Sequence, residues 1–162
     1  MDEVLKRVLA LAQEQQSTVE LTQMYACGAS RTWVSRRAKE GVIVRAGPST
    51  YRVAGVRRTF ENRAMAAVLS ARAPALVSHR SAAYLYGFER MAIPGRVDIT
   101  VPRHRRPRSR TGLAIHESRA FDLAGATVRD GIPVTGVART ILDCAPVVPA
   151  PIRLLDEALR RR

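Results

Sequence analysis

The sequence predicts an α+β protein of two lobes, and three observations carry that prediction. From Glu20 to Val53, helical spacing stops at a glycine, resumes behind a serine, and gives way to two β-branched runs around Gly47-Pro48. Further along, the stretch from Val97 to Val101 alternates as a strand and the one from Leu113 to His116 offers it a partner. Between and after these strands, alanine- and leucine-rich segments keep the 3.6-residue period of helices. Residues 1–55 therefore read as a winged helix-turn-helix, and residues 56–162 as a small mixed α/β lobe.

From Asp2 to Gln15, Val4, Leu5, Val8, Leu9, Leu11 and Ala12 recur at helical spacing, with acids in the first turn where the helix dipole favours them. Ser17 and Thr18 interrupt this helix, and Val19 can lend a short strand. Leu21, Met24 and Tyr25 give the next helix its apolar face, and Gly28 ends it. Ser30 is placed to cap a third helix, since its hydroxyl can accept from amides two or three residues on. On that helix Val34 and Ala38 form the apolar side, and Trp33 is expected in the core against the first helix. Gly41 leads into a hairpin of Ile43, Val44, Tyr51 and Val53, with its tip at residues 46–49.

In the second lobe, the run from Glu61 to Arg72 is helical up to Pro74, and Val77 and Ser78 are expected to enter a helix that Gly87 closes. After the predicted strand pair, residues 132–134 read as a short strand and residues 137–145 as a helix. Prolines at 146, 149 and 151 precede a last amphipathic helix with arginines at its C-terminal end.

The 162 residues carry a formal charge of +13, and 46% of them are hydrophobic, so the charge decorates a folded chain rather than a disordered one. A basic surface of this kind favours a polyanion, because neutralising phosphates releases counterions. Lys6 and Lys39 are the only lysines, so arginine supplies nearly all of that charge. Cys27 and Cys144 lie far apart in helical segments and suggest neither a disulfide framework nor a metal site. The amphipathic N-terminus lacks the apolar core of a signal peptide, and no apolar run approaches the roughly 20 residues that span a bilayer. A cytoplasmic protein without membrane association is expected.

The candidate readers of DNA bases are Arg31, Thr32, Ser35, Arg36 and Lys39, on the outward arc of the third helix. Candidate backbone contacts are Ser30 and Arg37 on that helix, Arg45, Ser49, Thr50 and Arg52 in the hairpin, and Arg57 and Arg58 beyond it. Arg103, Arg105, Arg106, Arg108 and Arg110 crowd one eight-residue segment with a histidine and a proline, which reads as an exposed accessory basic loop. Its role is open between a phosphate-tracking arm and a solubilising connection. The three histidines, His79, His104 and His116, stand far apart in the chain, and no compact set of metal ligands is visible. Asp98 has neither the second carboxylate that nucleotidyl transfer needs nor the nearby lysine of a restriction-type nuclease. No enzymatic activity, metal or cofactor is expected.

The chain also resembles the AbiEi-type antitoxins of type IV toxin-antitoxin and abortive-infection systems. The residues that carry this are CGASRTWVSRRAKEGVIVRAGPSTYRV in the first lobe, then LVSHRSAAYLYGF, VDITVP and GIPVTGVARTILDCA in the second. The resemblance covers most of the chain and is to a short form, without the C-terminal nuclease-like domain of longer members. It implies a transcriptional autorepressor that binds repeats in its own promoter and a second lobe needed for antitoxicity. It also implies a nucleotidyltransferase-like toxin, encoded alongside, as a functional partner. The expected function is thus sequence-specific binding of double-stranded DNA in an antitoxin. The alternative is a protein-interaction module that binds an acidic partner through the second lobe, with the winged helix serving structure alone.

Overall fold

The computed structural model describes residues 2–89, 91–105, 107–108, 110–149 and 151–161. The chain is α+β, and its contacts divide it into two compact units, residues 1–70 and 71–162.

The first unit runs α1 (Glu3–Glu14), β1 (Thr18–Glu20), α2 (Leu21–Ala26), α3 (Arg31–Lys39), β2 (Ile43–Arg45), β3 (Thr50–Val53) and α4 (Phe60–Leu69). The strands form an antiparallel sheet in the order β1-β3-β2, with Val19 opposite Tyr51 and Val44 opposite Arg52. The expected cap at Ser30 is realised, and the other two helices have caps that were not expected. Asp2 caps α1 through the Val4 amide, and Glu20 with Gln23 forms a capping box on α2. Ser30 Oγ accepts from the Trp33 amide at 3.1 Å to open α3. Gly28, at φ +94°, lets the chain leave α2 in a left-handed conformation that a side chain would strain. Val8, Ala12, Val19, Met24, Trp33, Val34 and Ile43 then bury together as the core. Ala38, expected on the apolar side of α3, is exposed and lines the open space between that helix and the β2–β3 hairpin.

The boundary expected after residue 55 falls inside this unit. Thr59 and Asn62 cap α4 reciprocally, and Asn62 Nδ2 donates to the Gln16 carbonyl at 2.7 Å, so α4 packs on β1 and β3. The first compact unit therefore extends to Ser70.

The second unit comprises β4 (Leu76–Val77), α5 (His79–Leu85), β5 (Val97–Pro102), β6 (Leu113–Ser118), a 3-10 turn (Phe121–Ala124), β7 (Thr127–Arg129), β8 (Ile132–Val134), α6 (Val137–Cys144) and α7 (Ile152–Arg160). Its five strands lie in the order β6-β5-β4-β8-β7. β5 pairs parallel with β6 and β4 parallel with β8, while the β4/β5 and β7/β8 pairs are antiparallel. Val97 to Val101 are all buried, as suits a strand covered on both faces. Val77 does not enter a helix as expected. It is a buried strand residue between β5 and β8, and only at His79, in a left-handed conformation, does the chain turn into α5.

Because β5 and β6 are parallel, residues 103–112 do not form a hairpin tip but must carry the chain back the length of a strand. Six paired residues span about 20 Å, a distance that lies well within the reach of ten residues.

Candidate nucleic-acid interface and a buried polar cluster

The sequence of α3 puts its bulky apolar residues, Trp33 and Val34, side by side, so one face sinks into the core and the rest of the helix stays in water. Arg31, Ser35 and Lys39, each four residues apart, line one wall of a groove of about 620 Å³ between α3 and the β2–β3 hairpin. Tyr51 and Val34 reach its floor, and Arg45 borders it from the hairpin. Thr32 and Arg36 occupy the adjacent exposed stripe of the same helix, with Arg36 Nε 3.9 Å from Glu40. All five expected base readers are thus exposed on one broad side of α3.

The expected backbone contacts divide. Arg57 and Arg58 are exposed in the segment before α4. Arg37 is not a surface cation. It donates to Asp2 Oδ2 at 2.8 Å and to Glu40 at 2.7 Å, and it lies 5.5 Å from the centre of the Trp33 ring. Asp2 also accepts from Trp33 Nε1 at 2.6 Å, so this carboxylate ties the start of α1 to the middle of α3. The Arg37 guanidinium, then Trp33, hold the Asp2 carboxyl at about 2.

Ser49 and Thr50 are buried at 2% and 0% exposure, so neither hydroxyl can reach a phosphate and both belong to the packing beneath the hairpin tip. Ser30 remains exposed, but its hydroxyl is taken up by the cap. Arg45 donates to the carbonyls of Gly47 and Pro48 and lies over Tyr51, bracing the hairpin tip from its own strand. Arg52 likewise donates to the carbonyls of Val53 and Val56. In the basic segment, Arg103, Arg105 and Arg108 are exposed, Arg110 is half-buried with its pKa lowered by burial, and Arg106 lies outside the described residues.

The second unit holds an arrangement that residue spacing did not suggest. His79 from α5 and His116 from β6 stack ring on ring at 3.6 Å. His116 Nε2 is 3.0 Å from Oδ1 of Asp98, a buried carboxylate that also accepts from Ser81 Oγ at 3.2 Å. His79 Nδ1 meets Ser78 Oγ at 3.0 Å and stands 3.9 Å from Asp143 Oδ2, while Arg139 donates to the other Asp143 oxygen at 2.7 Å. Burial, then the neighbouring His116, lowers the pKa of His79. Cys144, next to Asp143, is a buried free thiol pushed up to about 11 by burial. Of its members, Asp98 and His116 lie on the predicted strand pair, whereas His79 and Asp143 belong to helices. Which strands are neighbours is not written in spacing. Among the described residues no group of three or more His, Cys, Asp or Glu is arranged to hold a metal ion. Nor is any helix there long and apolar enough to cross a membrane.

No protein-family model matches the chain, and no curated protein matches it. Among solved structures, the RV2827C protein from Mycobacterium tuberculosis aligns over 88% of this chain at 15% sequence identity and a TM-score of 0.48. The chain spans 60% of that protein's length. At that level the likeness carries no argument about what this chain binds.

Proposed function

We propose that the protein is a cytoplasmic, sequence-specific DNA-binding autorepressor whose first unit is a winged helix-turn-helix, and that it serves as the antitoxin of a type IV system. The observation that supports this best is the groove wall of α3, where Arg31, Ser35 and Lys39 stand exposed opposite Arg45 on the hairpin. A helix so placed enters a major groove while the hairpin tip rests on the flanking backbone. Arginine and lysine reach guanine edges, and serine accepts or donates at either base. Exposed Arg57 and Arg58 extend the basic surface towards neighbouring phosphates. The toxin, a nucleotidyltransferase-like protein encoded alongside, is a functional partner in this reading.

Fluorescence anisotropy with a duplex from the protein's own promoter and a shuffled duplex of equal length tests the proposal. The promoter duplex binds more tightly, by a factor that substitution of Arg31 removes. If neither duplex binds, the DNA reading fails.

One observation favours the alternative of protein recognition. Val137, Leu155 and Leu159 line a groove of about 480 Å³ between α6 and α7, and Leu159 is 52% exposed. Arg129 borders the same groove, so an acidic partner with an apolar face is the kind it would accept. Pulldown of the adjacent gene product by the second unit's surface, lost on Leu159→Asp, would support this reading over the first.

A further inference from the structure

The stretches of the second unit that carry the family resemblance meet in one place, and DNA recognition by α3 makes no use of it. LVSHRSAAYLYGF contributes His79, Arg80 and Ser81, VDITVP contributes Asp98, and GIPVTGVARTILDCA contributes Arg139 and Asp143. His116 joins them from β6. A cavity of about 400 Å³ opens on this cluster, walled by both imidazoles, by the Asp98 carboxylate, by Pro94 and Val147, and by the side chains of Arg80, which donates to the Val147 carbonyl, and of Arg96, whose Nε lies 3.8 Å from Asp98 Oδ1.

The arrangement has a direction. Each imidazole has a carboxylate beside it, Asp98 3.0 Å from His116 and Asp143 3.9 Å from His79, and of the two Asp98 also lines the cavity. Asp98 is already supplied with donors, and Arg139 satisfies one oxygen of Asp143, whereas Asp143 Oδ2 has no hydrogen-bond donor among the described residues. A proton gained by the stacked pair therefore has an acceptor waiting behind His79. Two imidazolium rings at 3.6 Å repel each other, so the pair holds one proton far more readily than two. In front stand two arginines, which disfavour a cation in the cavity. A volume of this order suits a small ligand.

We propose that this cavity binds a phosphate monoester, its oxygens held by Arg80 and Arg96 and by the one proton that the His79–His116 pair takes up on binding. A monoester carries a charge of about −1.5 to −2 near neutrality and three strong acceptor oxygens. Two guanidiniums and one imidazolium, set against the Asp98 carboxylate on the same wall, leave a charge near +2 to meet it, and Asp143 beside His79 stabilises the added proton. The other charged groups facing the pair are Asp98, which Arg96 Nε approaches to 3.8 Å, and Asp143, which accepts from Arg139.

The test is nuclear magnetic resonance of the full chain with 15N-labelled histidine, titrated at neutral pH with inorganic phosphate, adenosine 5′-monophosphate or ribose 5-phosphate. Potassium chloride at matched ionic strength is the control. Ring-nitrogen signals of His79 and His116 shift saturably, and one ring, not both, acquires the imidazolium pattern. Equal affinity for all three phosphates identifies the phosphate group itself as the ligand, and tighter binding of one ester identifies its source; either supports the site. Arg96→Gln, at a side chain 68% exposed, leaves the melting temperature unchanged and weakens binding about tenfold. Shifts that chloride reproduces, or an affinity that Arg96→Gln leaves unaltered, mean an adventitious ion only and overturn the proposal. Loss of DNA binding would not bear on it, since the two surfaces share no residue.

Discussion

Asp2 caps α1 with one carboxylate oxygen and draws Trp33 and Arg37 of α3 onto the other, so one side chain near the chain start orients the candidate recognition helix. Its carboxyl sits at about 2 in the folded chain against an ordinary 3.8. A depressed carboxyl contributes stability in full above the ordinary value and loses it as pH falls towards the folded one. Asp2→Asn should therefore melt below the unsubstituted chain at about pH 6, with the gap closing between about pH 4 and pH 2. A gap that stays constant through that window would mean the ion pair does not form. Gly136 makes a different demand. A Cβ there would stand 2.5 Å from the Gly125 carbonyl oxygen, a backbone atom with little room to move. Gly136→Ala should cost about 1–3 kcal/mol in urea denaturation, and an unchanged midpoint would show that this close approach relaxes freely.

α3 combines two roles on one short helix. Trp33, Val34 and Arg37 hold it to the first unit, and Arg31, Thr32, Ser35, Arg36 and Lys39 remain outside. Substitutions in the two sets should separate cleanly. Arg36→Ala should lower affinity for the promoter duplex by about 1–3 kcal/mol and for random duplex by much less, as removal of a base contact does. Equal losses on both would move Arg36 to the phosphate contacts. The hairpin shows the same division. Arg45 and Arg52 spend hydrogen bonds on neighbouring carbonyls, and Ser49 and Thr50 are buried, so the tip is a braced element rather than a row of loose contacts.

Across the whole chain, a charge of +13 rests on two compact units. If about six phosphates are neutralised per protomer, log K should fall against log salt with a slope near −5. Anisotropy of the promoter duplex from about 50 to 200 mM salt measures this, and a flat dependence would remove the electrostatic part of the reading. Among the described residues of the basic segment, exposed Arg103, Arg105 and Arg108 can contribute to such a slope, whereas Arg110 is half-buried.

How much of this was legible without coordinates depended on how local each signal is. The Ser30 cap, the left-handed exit at Gly28 and the hairpin around Gly47-Pro48 are decided by a few neighbouring residues, and the first unit follows the expected element order. The strands at Val97 and Ile132 and the helix at Val137 were legible by the same periodicity. The two-residue strand at Leu76 was not, because so short a segment has no period and owes its place to β5 and β8 on either side. Composition likewise treated Arg37, Arg45 and Arg31 alike, and only packing separated the ion-paired and braced arginines from one on the groove wall. The sequence by itself determined the local turns, caps and periods and the excess of positive charge. Tertiary structure alone decided that His79, Asp98, His116 and Asp143, scattered over 65 positions, share one cluster, because strand order in a sheet is set by burial of whole faces and not by distance along the chain.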